Sequence, residues 1–345
     1  MFWTGITPLV REWIMSFNPA RYDAMNYRRC GSSGLKLPEI SLGLWQGTGS
    51  YVEDEVSRKI VHTAFDHGIN HFDLANNYGS PAGTSEELFG RILKGMPRDE
   101  IIVSSKAGYR MPTWPGPYGD GGSRKSLIAS CDQSLKRLGL DYVDIFYSHR
   151  LDRETPLEET LGALETLVRQ GKALYAGVSN YPDPWFSDSI RIMRERGWAP
   201  ITIHQPCYSL LRRAPETEVL PTAGREGVGV IGFSPLAQGL LTGKYLGGIP
   251  SDSRVSSNKG NGAIDAARVT PEILEAVARL AVIAEQRGQS LAQMALAWLL
   301  KDPRVTSVLI GASKPEQITD CVGALKNPHF TAAELDAIEK VLPKG

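Results

Sequence analysis

No charge of either sign is in excess in this chain: 38 Lys and Arg balance 38 Asp and Glu, for a formal net charge of zero. That balance removes the electrostatic case for nucleic acid or an anionic membrane surface as partner. Cysteine is scarce. Cys30, Cys131, Cys207 and Cys321 lie far apart with no C-x-x-C pair, which excludes a disulfide framework and implies reduced thiols in a cytoplasmic protein. No run of about 18 apolar residues occurs, so no membrane-spanning helix is expected. His62, His67, His71, His204 and His329 show no metal-ligand spacing, and no metal is expected. The opening MFWTGITPLVREWIMSF has no basic start, and Arg11 and Glu12 interrupt it, so no secretory leader is expected.

What is present is ordinary globular composition, 42% apolar and 22% charged over 345 residues. Periodic patterning begins near Tyr27, so residues 1–26 read as an N-terminal extension and 27–345 as a single domain. Short β-branched runs alternate with amphipathic stretches. The strand candidates are EISLGLW from Glu39, NHFDLAN from Asn70, IIVSSKAG from Ile101, YVDIFYSH from Tyr142, KALYAGVSN from Lys172, ITIHQPCYSL from Ile201, VGVIGFSP from Val228 and VTSVLIGA from Val305. Between them Leu127, Cys131, Leu135 and Leu138, and Leu157, Leu161, Leu164 and Val168, keep the helical period. Gly68, Gly139, Gly171 and Gly197 mark helix ends. Eight βα units imply a parallel sheet. The turn after the first strand reads WQGTGSYV, not the G-x-G-x-x-G of an open dinucleotide-binding sheet, so the units predict an α/β fold closed into a (β/α)8 TIM barrel. Two long insertions, Gly108–Gly122 after the third strand and Leu236–Arg268 after the seventh, fall on the carboxyl-end face, where barrel active sites form.

Polar residues at strand ends are the candidates for chemistry. Asp73 and Tyr78 lie in FDLANNYG, Lys106 in VSSKAG and His149 in FYSHR. Each alone has a bland reading: a helix cap, a half-buried phenol, a solvated lysine, a satisfied core histidine. Together they converge on one mouth, and an unpartnered buried lysine is costly. A phenol is a poor acid at neutral pH, and a nearby ammonium lowers its pKa. Lys106 is therefore expected to tune Tyr78, with Asp73 holding the lysine and His149 donating to a developing oxyanion. Protonating the oxygen of a carbonyl whose carbon receives hydride is carbonyl reduction, the reaction this arrangement predicts.

The same residues resemble the Asp–Tyr–Lys–His tetrad of the aldo-keto reductases. The likeness runs from about Tyr27 to the last helix through FDLANNYGSPAGTSEE, WPGPYGDGGSRKSLIASCDQSLKRLGL, SPLAQGLLTGKYL and VTSVLIGASKPEQ. Within the family the chain is similar to the bacterial L-glyceraldehyde-3-phosphate reductases, relatives of the potassium-channel β-subunits. The resemblance implies an NADPH-dependent reductase of small aldehydes such as L-glyceraldehyde 3-phosphate and methylglyoxal. It also implies that Tyr78 is the general acid and that the enzyme is a cytoplasmic homo-oligomer. It implies that Ser179, Asn180 and Gln205 hold the nicotinamide carboxamide. Phe233, Ser234, Pro235, Leu236, Gln238, Gly239 and Lys244 lie over the pyrophosphate. Arg254, Ser313 and Gln317 meet the adenosine end with its 2′-phosphate, and Trp45 and Gly311 complete the set. Where relatives carry Glu-Asn near the adenine, this chain has Asp320 and Cys321, which weakens the carry-over there.

Three alternatives stay open. Ser123, Arg124 and Lys125 either bind a substrate phosphate at a helix start or form an ordinary N-cap. An NADPH-sensing subunit resembling the channel subunits is the second reading, although those typically carry Asn where this chain has His149. A barrel aldolase using Lys106 as a Schiff base is the third.

Overall fold

The computed structural model describes residues 17–45, 52–249 and 269–342. An antiparallel hairpin comes first, β1 (Tyr27–Arg29) paired with β2 (Lys36–Pro38). Eight parallel strands follow: β3 (Ile40–Gly43), β4 (His71–Asp73), β5 (Ile102–Ala107), β6 (Val143–Ser148), β7 (Ala173–Ser179), β8 (Ile201–Gln205), β9 (Gly229–Phe233) and β10 (Val305–Ile310). They neighbour one another in chain order, and β10 bonds back to β3 to close the barrel. Each strand falls inside one of the eight runs expected from the sequence. The fold is the (β/α)8 barrel.

The surrounding helices are α1 (Asp54–Asp66), α2 (Thr84–Leu93), α3 (Arg124–Leu138), α4 (Leu157–Arg169), α5 (Trp185–Glu195), the short α6 (Pro215–Glu218) and α7 (Leu220–Glu226), α8 (Pro271–Gln286), α9 (Leu291–Leu300), α10 (Pro315–Val322) and α11 (Ala332–Val341). At Gly139 the chain takes the left-handed conformation, φ 67°, which costs a glycine nothing and ends α3 where expected. The one-helix beat breaks after β8, where Val219 leaves helical geometry between α6 and α7 and Pro221 occupies the first turn of α7. The tract LAQMALAWLL of α9 is apolar all round, and nine of its residues are buried, as such a helix requires. Ser290 and Gln293 close its first turn in a reciprocal capping box. Residues 108–122 form turns without a helix, as their glycines and prolines dictate.

Packing begins before Tyr27. Phe17 is buried against His62 and Phe65, Met25 lies in the core, and Arg21 and Tyr22 both bond to Glu100. The β1–β2 hairpin, which the sequence reading did not single out, seals the amino end of the barrel: Cys30, Leu35 and Leu37 cluster with Ile145, Tyr147, Ile203, Ile231 and Leu309.

Inside, the barrel divides by strand. With two residues per strand repeat, the inward set on β6, β8 and β9 includes Ile145, Tyr147, Ile203 and Ile231. On β10, β3, β4 and β5 the interior carries Ser307, Ser41, His71, Asp73, Ser104 and Lys106, all fully buried. The β6, β8 and β9 side is mainly apolar, joined by Leu309 of β10, and the β3, β4 and β5 side is mainly polar.

Candidate active site

The four residues expected to act together are brought together. Asp73 ends β4, Lys106 lies near the end of β5, His149 directly follows β6, and Tyr78 sits on the turn after β4. Lys106 Nζ donates to Asp73 Oδ2 at 2.5 Å and to the Leu74 carbonyl at 2.7 Å, and it lies 3.5 Å from the Tyr78 hydroxyl. Ser104 Oγ at 2.6 Å and Gln205 Nε2 at 3.1 Å donate to Asp73 Oδ1. Asp73 is thus no helix cap: three donors fix its carboxylate. A fully buried lysine held by a carboxylate and a carbonyl has no free amine to offer, which removes the Schiff-base reading.

Tyr78 stands between rings. Trp45 lies 6.1 Å away on one side and His149 5.9 Å away edge-on. Tyr109, an exposed residue of the 108–122 loop, packs edge-on against His149 at 4.7 Å, and the Arg150 guanidinium lies over the Tyr109 ring. His149 Nδ1 is buried without a hydrogen-bond partner.

Electrostatics depart from one expectation. The net shift of Tyr78 is upward, not the lowering expected from Lys106: burial first, then the charges of Asp73 and Tyr109, push the phenol well above its ordinary value. The lysine's charge is directed at Asp73, and desolvation pulls the lysine itself down against the opposing pull of that carboxylate. His149 is held well below its usual value by burial and by the cations Lys106 and Arg150. At neutral pH the site therefore presents a protonated phenol and a neutral imidazole.

The rim formed by the ends of β7 to β10 fits a nicotinamide dinucleotide in its donor set. Carboxamides come from Asn180 and Gln205, hydroxyls from Ser179 and Ser234, and a cation from Lys244. Ser179 Oγ donates to the Gln205 carbonyl at 2.8 Å, and Asn180 Nδ2 donates to Ser179 Oγ at 3.1 Å. Four non-glycine residues here take left-handed backbone, Asn180 (φ 55°), Ser234 (φ 54°), Ala237 (φ 47°) and Gln238 (φ 58°), a strain that collects at ligand clamps. The strained turn runs on from Phe233 through Pro235 and Leu236. At Gly239 a Cβ would stand 2.7 Å from Lys244 Cε, so the glycine is what lets Lys244 fold over the loop. Beside Gly311, where a Cβ would meet nothing within 4 Å, Ser313 donates through both its amide and its hydroxyl to Gln317.

Arg254 lies outside the described residues. Asp320 accepts from Gln293 Nε2 at 2.8 Å, on α9. Cys321 is buried, its thiol pushed up to about 12 by desolvation. The start of α3 behaves as an ordinary cap: Ser123 Oγ accepts from the Ser126 amide, the Arg124 amide donates to Glu159, and the Arg124 guanidinium donates to Thr166.

The comparisons with known proteins agree with this geometry. Residues 39–343 match the aldo/keto reductase family. Over 335 residues, 95% of either chain, the sequence is 55% identical to the L-glyceraldehyde 3-phosphate reductase of Escherichia coli strain K12. It is 36% identical over 325 residues to a probable voltage-gated potassium channel subunit beta of Arabidopsis thaliana, covering 92% of this chain and 97% of that one. A putative voltage-gated potassium channel subunit beta of Schizosaccharomyces pombe is 38% identical over 328 residues, covering 92% and 93%. The chain is an oxidoreductase with a nicotinamide cofactor, and it belongs to the aldo/keto reductase family.

Proposed function

We propose that this chain reduces small aldehydes to alcohols with NADPH as the reductant, with L-glyceraldehyde 3-phosphate and methylglyoxal among the substrates. The observation that carries the reading is the Tyr78 hydroxyl, held protonated at the barrel mouth beside Lys106 and a neutral His149. The cofactor supplies a hydride to the carbonyl carbon. Asn180, Ser179 and Gln205 would hold its carboxamide, the loop from Phe233 to Gly239 with Lys244 would take its phosphates, and Ser313, Gln317 and Arg254 would meet its adenosine end. His149 donates to the carbonyl oxygen and orients it. As charge develops on that oxygen, Tyr78 delivers its proton, and Lys106 steadies the phenolate left behind. Asp73 keeps Lys106 charged and aimed.

The preference for a phosphorylated triose derives from the 55% identity to the bacterial reductase. A cytoplasmic homo-oligomer is the assembly the family resemblance supports, and sedimentation of the pure protein reads its size. Oxidation of NADPH across a panel of small aldehydes, with glyceraldehyde 3-phosphate and methylglyoxal included, tests the activity. In that assay Tyr78→Phe is expected to lower kcat by about 10²–10⁴ while leaving cofactor affinity unchanged. Retention of more than about a third of wild-type turnover, with hydride transfer rate-limiting, would remove Tyr78 as the acid.

A further inference from the structure

A column of buried polar side chains continues below the active site, on the polar wall of the barrel. Ser307 Oγ lies 2.7 Å from Ser41 Oγ, Ser41 Oγ lies 2.9 Å from His71 Nδ1, and His71 Nε2 lies 3.0 Å from Ser104 Oγ. Ser104 Oγ then reaches Asp73 Oδ1 at 2.6 Å. All five residues are fully buried.

The direction of every proton in the column follows from its upper end. An ionised carboxylate only accepts, so Ser104 must donate to Asp73. With its single proton committed there, Ser104 must accept from His71 Nε2, which places the imidazole proton on Nε2. His71 Nδ1 is then an acceptor and takes the Ser41 proton, and Ser41 in turn takes that of Ser307. Burial holds the ring neutral, its pKa lowered to about 4, with Lys106 adding to the lowering and Asp73 opposing it. One tautomer satisfies all four contacts. The opposite tautomer sets lone pair against lone pair between His71 Nε2 and Ser104.

We infer that His71 is a positioning residue for the reaction: by donating from Nε2 it fixes the rotor of the Ser104 hydroxyl, which shares the charge of Asp73 and aims its other oxygen at Lys106. The inference rests on the tetrad reading above and extends it two residues into the barrel. His71 and Asp73 are two apart on β4, and Ser104 and Lys106 are two apart on β5, so strand geometry alone places all four on the inner wall. Without the Ser104 donor the Asp73 charge is less shared. Tyr78 and Lys106 then hold their protons more tightly, and the phenol becomes a weaker acid.

Two experiments test it. Nitrogen-15 NMR of histidine-labelled protein, with the His71 signal assigned by its loss in His71→Gln, is expected to show a neutral ring protonated at Nε2. A proton on Nδ1 reverses the column and overturns the proposal, whatever the chain catalyses. In kinetics, Ser104→Ala and His71→Asn each remove the donor, and turnover is expected to fall about 10-fold with the aldehyde KM within about twofold. The acidic limb of alcohol oxidation, where Tyr78 must be deprotonated to accept a proton, moves to higher pH in both. His71→Gln returns an amide donor near the Nε2 position and is expected to recover turnover to within about threefold of wild type. Losses that appear only in thermal stability, with an unmoved limb and no recovery in His71→Gln, would overturn the positioning role. Full turnover in Tyr78→Phe would instead sink the tetrad reading and leave the tautomer result standing.

Discussion

The pairing of Asp73 with Lys106 makes a quantitative prediction about what each charge does for the other. In Asp73→Asn, Lys106 keeps its fully buried position but loses the 2.5 Å carboxylate, leaving the Leu74 carbonyl at 2.7 Å and the distant Tyr78 hydroxyl. A buried charge stripped of its partner costs about 3–5 kcal/mol. The reverse change, Lys106→Met, leaves Asp73 still held by Ser104 at 2.6 Å and Gln205 at 3.1 Å, so its cost is smaller, about 2 kcal/mol. The double variant buries no charge and is expected to cost little more than one single change, a coupling of about 2–4 kcal/mol. Urea unfolding followed by the fluorescence of the seven tryptophans reads all four corners of the cycle. All three variants should lose turnover, because Asp73→Asn removes what aims Lys106 at Tyr78 and the other two remove the ammonium itself. Stability losses that add to within about 0.5 kcal/mol would show that the two groups act independently, and the argument from their contact would fail.

The remaining predictions are narrower. Arg254→Ala is expected to weaken NADPH by about 1.5–3 kcal/mol more than NADH, since only NADPH offers a 2′-phosphate to a charged donor. Fluorescence titration with both cofactors measures it, and equal weakening removes Arg254 from that phosphate. The protein should lose stability in acid. His71 and His204 are lowered from an ordinary 6.5 to about 4 and about 3 by burial, so below pH 6.5 the unfolded chain takes up protons that the folded one refuses. Stability is therefore unaffected by these groups above pH 6.5 and falls from there towards 4 and 3, by on the order of 3 kcal/mol for His71. Denaturation midpoints between pH 7 and 4.5 follow the loss, and His71→Gln should show a shallower slope; an identical slope would contradict it.

Much of the fold could be read from the chain because β-branched runs and helical periods alternate through all eight units, and each barrel strand sits inside an expected run. What escaped lies where pattern is too short or too local. The β1 and β2 strands are three residues each, below the length at which alternation declares itself. Phe17 and Met25 pack on the barrel, yet the stretch around them has no period. The tetrad was legible because its members are ionisable residues at strand ends. His71 and Ser104 were not, because His71 was weighed only against metal spacing. The signal was present in the pattern H-x-D beside S-x-K: on strands, residues two apart share a wall, so a polar residue two before each catalytic candidate also points inward. The expected lowering of Tyr78 by Lys106 is outweighed by burial, and the net direction is upward. Sequence supplies neighbours but not depth, and here depth decides the direction.

The divided barrel interior bears on why the charged pair is there at all. A buried ion pair is poor evidence of stability, since well-packed apolar residues of similar volume often serve as well or better. This barrel demonstrates the apolar solution on its own far wall, where Ile145, Ile203 and Ile231 fill the interior with hydrocarbon. Had stability set the composition of β3, β4, β5 and β10, the same residues would have served there. Instead five uncharged or ionised polar groups stand in file beneath a lysine, each satisfied by the next. Such a file tolerates few rearrangements, because turning the Ser104 or Ser41 hydroxyl leaves a buried donor or acceptor bare at about 1–3 kcal/mol. That intolerance is what a proton-delivering site requires of its support. It holds Asp73, and through it Lys106, in one orientation at the point where Tyr78 must give up its proton.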